Sequence, residues 1–220
     1  MAAHPDRFGD PPAPASRQVD TIADLALIYE PDVNLCLLPR ALSADVQAFA
    51  DAACARPIAL TGVLPAHHAD WATWLAAYAG LPGHRAFVED VSALAELYAS
   101  LLEPDALGVR LHQRSGPMCP RLHVDRVGLR LLCTYAGAGT EWLDDPLAER
   151  DLLGPGSGGR PDETSGLIRD PAALRVIPAG AIALLKGEAF PGNSGGGVIH
   201  RSPHDPSPRL LFSLDAVWRD

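Results

Sequence analysis

The stretch Cys119-Pro120-Arg121-Leu122-His123-Val124-Asp125-Arg126 decides how this chain is interpreted. It places an imidazole and a carboxylate two residues apart, shortly before an apolar run that extends from Leu129 to Tyr135. Because side chains two residues apart on a strand point to the same face, His123 and Asp125 can be aimed at one point. The spacing therefore predicts a site that uses both side chains.

A second histidine, His200, lies far downstream after a glycine-rich stretch, and a basic residue, Arg209, lies on the next predicted strand. Two imidazoles and one carboxylate on one face of a cation leave the other coordination positions open, as in non-haem iron(II) oxygenases. We therefore predict that His123, Asp125 and His200 are metal ligands and form the catalytic centre. A guanidinium at Arg209 suits the carboxylate of a keto acid, which it can hold through two parallel hydrogen bonds.

Composition excludes several classes of protein. The formal net charge is −9, from 18 basic and 27 acidic residues, which argues against a nucleic-acid partner. No apolar run approaches the roughly 20 residues of a membrane span, so no membrane partner is expected. The N-terminus lacks the charged start and apolar run of a signal peptide, and the predicted location is cytoplasmic. The sequence leaves the oligomeric state open.

The pattern along the chain predicts three regions. Residues 1–18 are rich in Pro, Ala and Asp and are expected to form a disordered arm. Residues 19–106 show mainly helical spacing, which predicts a helical lobe. Residues 107–220 show short strands separated by turns, the pattern of a barrel or jelly roll. Within them, residues 144–172 are polar and rich in Gly and Pro, so they are expected to be a long loop, either a lid or a disordered excursion.

The second half of the chain resembles the iron(II)/2-oxoglutarate dioxygenases, in particular the prolyl-hydroxylase-like branch. The resemblance rests on His123-Val124-Asp125, on Thr134-Tyr135 before a Gly-rich turn, on a Pro-Ala-Gly turn before an apolar strand at 178–185, and on the distal His200 and Arg209. It implies an α+β fold in which a helical N-terminal half packs on a double-stranded β-helix. It also implies iron(II) and 2-oxoglutarate as cofactors, with Arg209, Tyr135 and Lys186 as candidates for binding 2-oxoglutarate.

Most of the chain is also similar to an uncharacterised bacterial family, domain-of-unknown-function family 1826. The phrases that carry this similarity are Cys-Pro-Arg-Leu-His-Val-Asp-Arg-Val at 119–127, Leu-Leu-Cys-Thr-Tyr at 131–135, Gly-Thr-Glu-Trp-Leu at 139–143, Leu-Leu-Lys-Gly-Glu at 184–188 and His-Arg-Ser-Pro at 200–203. The resemblance implies no established activity. It also implies a frequent association with metal-homeostasis genes, which keeps a zinc-related role open.

Three functional hypotheses follow. The first is an oxygenase that hydroxylates an unknown small molecule or peptide. The second is a non-enzymatic protein that uses the same three ligands in zinc or other metal homeostasis, and the third is a catalytically inactive jelly-roll binding module. Several side chains have further candidate roles: His112 and His204 as reserve ligands, Cys119 near the metal, Glu141 as a ligand or a hydrogen-bond acceptor for a ligand imidazole, and Trp142 at the substrate mouth or in the core.

Overall fold

A computed structural model describes residues 15–116 and 119–219 of the chain. Within these ranges the protein is a mixed α/β structure with ten β-strands and four α-helices. The strands are β1 (Ala15–Gln18), β2 (Val33–Leu38), β3 (Ala59–Pro65), β4 (Ala106–Ser115), β5 (Leu129–Ala136), β6 (Glu141–Leu143), β7 (Arg175–Val176), β8 (Ile182–Lys186), β9 (Ile199–Arg201) and β10 (Pro208–Val217). The helices are α1 (Ala44–Cys54), α2 (Trp71–Trp74), α3 (His84–Leu102) and α4 (Asp162–Ser165).

Seven strands form the larger sheet, in the order β1-β2-β8-β5-β10-β4-β3. Every neighbouring pair is antiparallel except β1 and β2, which are parallel. The edge strand β1 corrects the prediction of a disordered arm at residues 15–18, because these residues pair with β2; residues 1–14 lie outside the described residues. The sequence of 15–18 has little apolar alternation, so its strand depends on the neighbour that supplies the hydrogen bonds.

The two long helices cover one face of the larger sheet. Ser43 caps α1, since its hydroxyl accepts a hydrogen bond from the amide of Val46. The buried faces of α1 and α3 meet at Phe49 and Phe87, whose rings stack with centroids 4.1 Å apart. Complete burial of such a side chain stabilises the fold by about 1.5–3 kcal/mol. Because the helices cover this face of the sheet, a site can form only on the other face.

The region expected to be a helical lobe contributes strands as well as helices. Residues 19–106 hold α1, α2 and α3, but β2 and β3 from this region are hydrogen-bonded into the same sheet as strands from 107–220. The α+β pattern is therefore present, whereas the division of the chain at residue 106 stays a prediction. No helix within the described ranges is both long enough and apolar enough to cross a membrane.

Three short strands form the smaller sheet, in the order β7-β6-β9. An isolated antiparallel bridge between His123 and His200 adds one more pairing at its edge. Side chains from the two sheets form a shared hydrophobic cluster, in which Leu132 and Leu185 of the larger sheet join Trp142 and Val198. Trp142 thus lies in the core and not at a substrate mouth.

The segment at 144–172 differs from the expected loop. It contains four short helices, three of them 3-10 helices at 145–147, 150–152 and 154–157, followed by α4. Ser157, Asp162 and Leu167 in this segment are each at most 2% exposed. The segment is therefore not a disordered excursion. Its Gly and Pro content predicts mobility, but contacts with residues distant in sequence bury it.

Candidate metal centre

A cavity of about 260 Å³ lies where the larger sheet meets the smaller one. Three leucines of the larger sheet form an apolar wall of the cavity: Leu132, Leu185 and Leu211. Thr140 and His200, from the region of the smaller sheet, also line it. The remaining lining residues are mainly polar or charged: Arg110, His112, Cys119, His123, Asp125, Arg130, Arg201, Ser202 and Ser213. A cavity that combines an apolar wall with several convergent polar groups is a usual form of a small-molecule site.

His123, Asp125 and His200 converge in this cavity. The Nε2 atom of His123 lies 3.8 Å from Oδ1 of Asp125, and Nε2 of His200 lies 3.3 Å from Oδ2. One ligating atom from each of the three residues lies within 4.8 Å of the other two. The structure therefore brings together the three residues that the sequence singled out as metal ligands.

Backbone hydrogen bonds fix both the position and the tautomer of the two imidazoles. The amide of each histidine donates to the carbonyl of the other, at 3.0 Å in both directions. Nδ1 of His123 lies 2.9 Å from the carbonyl oxygen of Arg121, and Nδ1 of His200 lies 3.0 Å from that of Val198. A carbonyl only accepts, so in the neutral form of each imidazole Nδ1 carries the proton and Nε2 presents a lone pair to the cavity.

A chain of charges holds Asp125. Its Oδ2 atom accepts a hydrogen bond from Arg130, which also donates to both carboxylate oxygens of Asp215 at 2.8 Å. Arg110 donates to Asp215 as well. Burial opposes the ionisation of Asp125, but the interaction with His200, when that imidazole is protonated, and the charge of Arg130 outweigh burial and lower the pKa of Asp125. The carboxyl of Asp125 therefore favours its ionised form, which is the form that binds a cation.

The donor set fits an intermediate-softness divalent cation such as iron(II). Metal ligands must be unprotonated, and burial together with the neighbouring His200 lowers the pKa of His123, which favours its neutral form. The site supplies two imidazole nitrogens and one carboxylate, and no further His, Cys, Asp or Glu joins this cluster in the part of the chain that the structure describes. Three protein ligands leave coordination positions open for other molecules.

Arg209 is buried and has no acidic partner among the residues that the structure describes. Only 5% of the residue is exposed, and its Nη2 atom donates to the hydroxyls of Thr140 at 3.0 Å and Thr134 at 3.4 Å. Within residues 15–116 and 119–219, Nε and Nη1 have no hydrogen-bond acceptor. Gly137, at φ +80°, makes room for this residue, because a Cβ there would lie 2.8 Å from Cβ of Arg209. The guanidinium thus keeps two donors for an anion.

Tyr135 and Lys186, the other candidates for binding 2-oxoglutarate, lie on the opposite face of the larger sheet. The hydroxyl of Tyr135 donates to Asp90 of α3, and Lys186 donates to the carbonyl of Glu30 at 2.9 Å. Successive side chains on a strand point to opposite faces of the sheet. Tyr135 and Lys186 point toward the helices, whereas their neighbours Thr134 and Leu185 point toward the cavity. The expectation that they bind a cofactor with Arg209 is therefore wrong on geometric grounds.

The remaining candidates take supporting positions. Glu141 accepts a hydrogen bond from Arg201 at 2.6 Å and is not among the clustered ligand atoms. His112 lines the cavity but lies 3.0 Å from the hydroxyl of Thr61, and His204 lies 2.8 Å from the carbonyl of Pro120. Cys119 is exposed and lines the cavity, as its position before His123 suggested.

Sequence reasoning missed Asp215 and Asp162, which support the site from behind. Asp215 lies in β10 and is 8% exposed. Its side chain is on the face of the strand opposite to that of Leu210, Phe212 and Leu214. A carboxylate within an apolar strand is a detectable signal, because such a group is buried only with a partner. Asp162 gave no such signal, since its surroundings in sequence resemble a solvated loop.

The fold is similar to that of iron(II)/2-oxoglutarate oxygenases. A rice dioxygenase for auxin oxidation matches with a TM-score of 0.51 at 14% identity, over 93% of this chain and 83% of that chain. Dioxygenase for auxin oxidation 1 from Arabidopsis thaliana, in a complex with 2-oxoglutarate, matches with a TM-score of 0.50 at 10% identity, over 94% of both chains. A Pseudomonas putida prolyl-4-hydroxylase matches with a TM-score of 0.46 at 13% identity, over 94% of this chain and 98% of that chain.

The two matches with TM-scores of 0.51 and 0.50 show the fold alone and leave the chemistry to the site itself. A family model described as "Protein of unknown function (DUF1826)" matches residues 19–215. The chain therefore belongs to the DUF1826 family, which confirms the similarity noted in its sequence. Among curated proteins, no sequence match is found.

Proposed function

We propose that the protein is an iron(II)- and 2-oxoglutarate-dependent oxygenase whose two sheets form a double-stranded β-helix. One observation carries the proposal: the open His123–Asp125–His200 cluster shares its cavity with Thr140, which accepts from a buried Arg209 that has spare donors. A metal carrier needs the cluster but has no use for an unpaired buried guanidinium. An oxygenase of this class needs both.

One set of residues would bind the metal, and a separate residue would bind the keto acid. Nε2 of His123, Nε2 of His200 and the Asp125 carboxylate would bind iron(II), and Arg130 keeps that carboxylate in place. Bound iron with 2-oxoglutarate and dioxygen supplies the oxidising chemistry, which yields succinate, carbon dioxide and a hydroxylated substrate. Arg209 would bind the carboxylate of 2-oxoglutarate remote from the metal.

The environment of Arg209 suits this role. Burial lowers the pKa of the guanidinium from its usual value, which is the sign of a cation held in a poorly solvated place. A carboxylate that reaches Nε and Nη1 satisfies both free donors and compensates the buried charge. Leu132, Leu185 and Leu211 line the cavity and limit the water that competes for those donors.

The substrate is proposed to be a small molecule or peptide, and the protein is proposed to act in the cytoplasm. The non-enzymatic alternative, a protein of zinc homeostasis, uses the same three ligands and differs in having no need for 2-oxoglutarate. The inactive binding module differs from both in requiring no metal. Binding of metal and keto acid to the same protein therefore separates the three hypotheses.

The deciding experiment is anaerobic calorimetry of the purified protein with iron(II), then with 2-oxoglutarate, followed by an aerobic assay of succinate release. Wild type should bind iron(II), bind 2-oxoglutarate only after iron(II), and release succinate slowly without a substrate. His200→Gln should lose both binding events. His112→Gln is the matched control, because His112 lines the same cavity outside the ligand cluster. Tight zinc binding without 2-oxoglutarate binding would instead support the metal carrier.

A further inference from the structure

The segment at 144–172 is hydrogen-bonded to residues near both ligand histidines through one buried carboxylate, that of Asp162. The side chain of Asp162 is 1% exposed. Its Oδ1 atom accepts from Nε of Arg121 at 2.7 Å, and its Oδ2 atom accepts from the amide of Leu122 at 2.6 Å. Oδ2 also accepts from Nη1 of Arg201 at 3.2 Å.

All three donors belong to residues beside a metal ligand. Arg121 and Leu122 directly precede His123, and Arg201 directly follows His200. The carbonyl of Arg121 accepts the hydrogen bond from Nδ1 of His123, so the residue that Asp162 holds by its side chain also orients the imidazole. Asp162 therefore acts on the ring through a single intervening residue.

Apolar contacts support the same arrangement. Leu122 and Ile199, each directly before a ligand histidine, are at most 2% exposed and share a hydrophobic cluster with Leu167 and Ala148 of the segment. A second polar tie runs from Arg150 to the carbonyl of Gly197, just before the His200 strand. The segment is thus packed against the backbone on both sides of the metal site.

We infer that the segment at 144–172 is a fixed support for the metal ligands, not a lid, and that Asp162 is its positioning residue. The inference rests on the proposed metal role of His123 and His200. Groups that orient metal ligands from behind contribute strongly to affinity, and their removal typically lowers it by roughly 10–100-fold. The carbonyl of Arg121 has this relation to His123, and Asp162 holds the side chain of Arg121 one step further from the ring.

Its neighbour offers a matched control. Glu163 lies in the same short helix and also accepts from Nη1 of Arg201, at 2.7 Å, but its hydrogen bonds do not reach Arg121 or Leu122 in the described residues. Asp162→Asn keeps the size of the side chain and loses the charge and one acceptor. Arg121→Met keeps the aliphatic stem of a side chain that is 43% exposed, so it tests the same link from a site that tolerates change.

Two readouts test the inference on the full chain. In the metal-free protein, 15N spectra of the imidazoles should show His123 as the Nδ1–H tautomer in wild type and Glu163→Gln, and as a mixture in Asp162→Asn and Arg121→Met. Titration with cobalt(II) should show affinity roughly 10–100-fold lower in the latter two variants and within about twofold of wild type in Glu163→Gln. The cobalt(II) absorption spectrum at saturation should also change in the two affected variants.

The outcomes separate this inference from the proposed function. If folded Asp162→Asn and Arg121→Met keep both the wild-type tautomer and the wild-type cobalt(II) affinity, Asp162 is not a positioning residue, although the metal site stands. An equal loss of affinity in Glu163→Gln also contradicts it, because the effect then follows from Arg201 or from general destabilisation. A wild type that binds no cobalt(II) overturns the proposed function, while the tautomer readout still tests whether Asp162 orients His123.

Discussion

The Nε2 atom of His200 lies 3.3 Å from Oδ2 of Asp125, and the opposite ring nitrogen of the same imidazole faces the carbonyl of Val198. The ring is thus held from behind while its lone pair is directed at an ionised carboxylate. Without a cation between them, a lone pair and a carboxylate oxygen have no attractive contact unless the imidazole gains a proton. The arrangement is suited to a cation that binds both groups.

Arg209→Met should weaken 2-oxoglutarate binding and leave metal binding intact. The lost interaction is a charge-assisted hydrogen bond with a carboxylate, which contributes about 1.5–3 kcal/mol, or roughly a 10–150-fold change in affinity. Lys186→Met is the control, since Lys186 points to the helix side and donates to Glu30. Anaerobic calorimetry with iron(II) present measures both variants. Equal loss in the two variants would contradict the assignment of Arg209.

The same Arg209→Met substitution should stabilise the ligand-free protein. The buried guanidinium lacks an acidic partner within the described residues, and leaving a buried donor unsatisfied costs about 1–3 kcal/mol. The free energy of unfolding, measured with urea in the absence of metal and 2-oxoglutarate, should rise by a similar amount. Destabilisation by this substitution would show that the guanidinium is already compensated in the free protein.

The metal-free protein should lose stability as the pH falls from about 7 through the ordinary histidine pKa of about 6.5. Burial and the neighbouring His200 lower the pKa of His123 in the folded state. Around this pH the unfolded chain therefore binds more protons than the folded one, so stability decreases on acidification. Urea unfolding across this range should give a steeper dependence for wild type than for His123→Gln. Identical slopes would contradict the shift.

Tyr135→Phe should reduce stability without affecting the site. The Tyr135 hydroxyl donates to Asp90, which also accepts from Arg40, so the substitution removes one bond to a charged group and costs about 1–3 kcal/mol. Binding of iron(II) and of 2-oxoglutarate should be unchanged, because Tyr135 packs against Phe87 on the helix side. A selective loss of 2-oxoglutarate binding would restore Tyr135 as a cofactor residue.

The sequence predicted the ligand set because two of its members are local. His123 and Asp125 are two residues apart, and His200 follows from the resemblance in motif order. The strand expected at these two residues does not form, because His123 makes only an isolated bridge with His200 and Asp125 lies in the coil before β5. Their closeness in sequence is nevertheless enough for both side chains to reach one point.

The alternation of side chains along a strand shows why Tyr135 and Lys186 were misplaced. A shift of one residue along a strand moves a side chain to the other face of the sheet. Motif matching compares the order of residues and does not consider which face each side chain is on.

The role of 144–172 could not be predicted from local pattern. Its Gly, Pro and charged residues are typical of a mobile loop, and its order depends on partners far away in sequence. Asp162 is buried because Arg121, Leu122 and Arg201 supply donors, and the apolar residue Leu167 is buried by Leu122 and Ile199. Edge strand β1 was missed for the same reason, since its hydrogen bonds come from β2.

The most direct test of the central claim is X-ray diffraction at the iron edge from crystals grown anaerobically with iron(II) and 2-oxoglutarate. We expect one anomalous peak about 2.0–2.2 Å from Nε2 of His123, Nε2 of His200 and a carboxylate oxygen of Asp125. We also expect 2-oxoglutarate in the same cavity, with one carboxylate on Nε and Nη1 of Arg209. Iron bound elsewhere, or a cavity with iron in which Arg209 contacts no carboxylate, would contradict the proposed function.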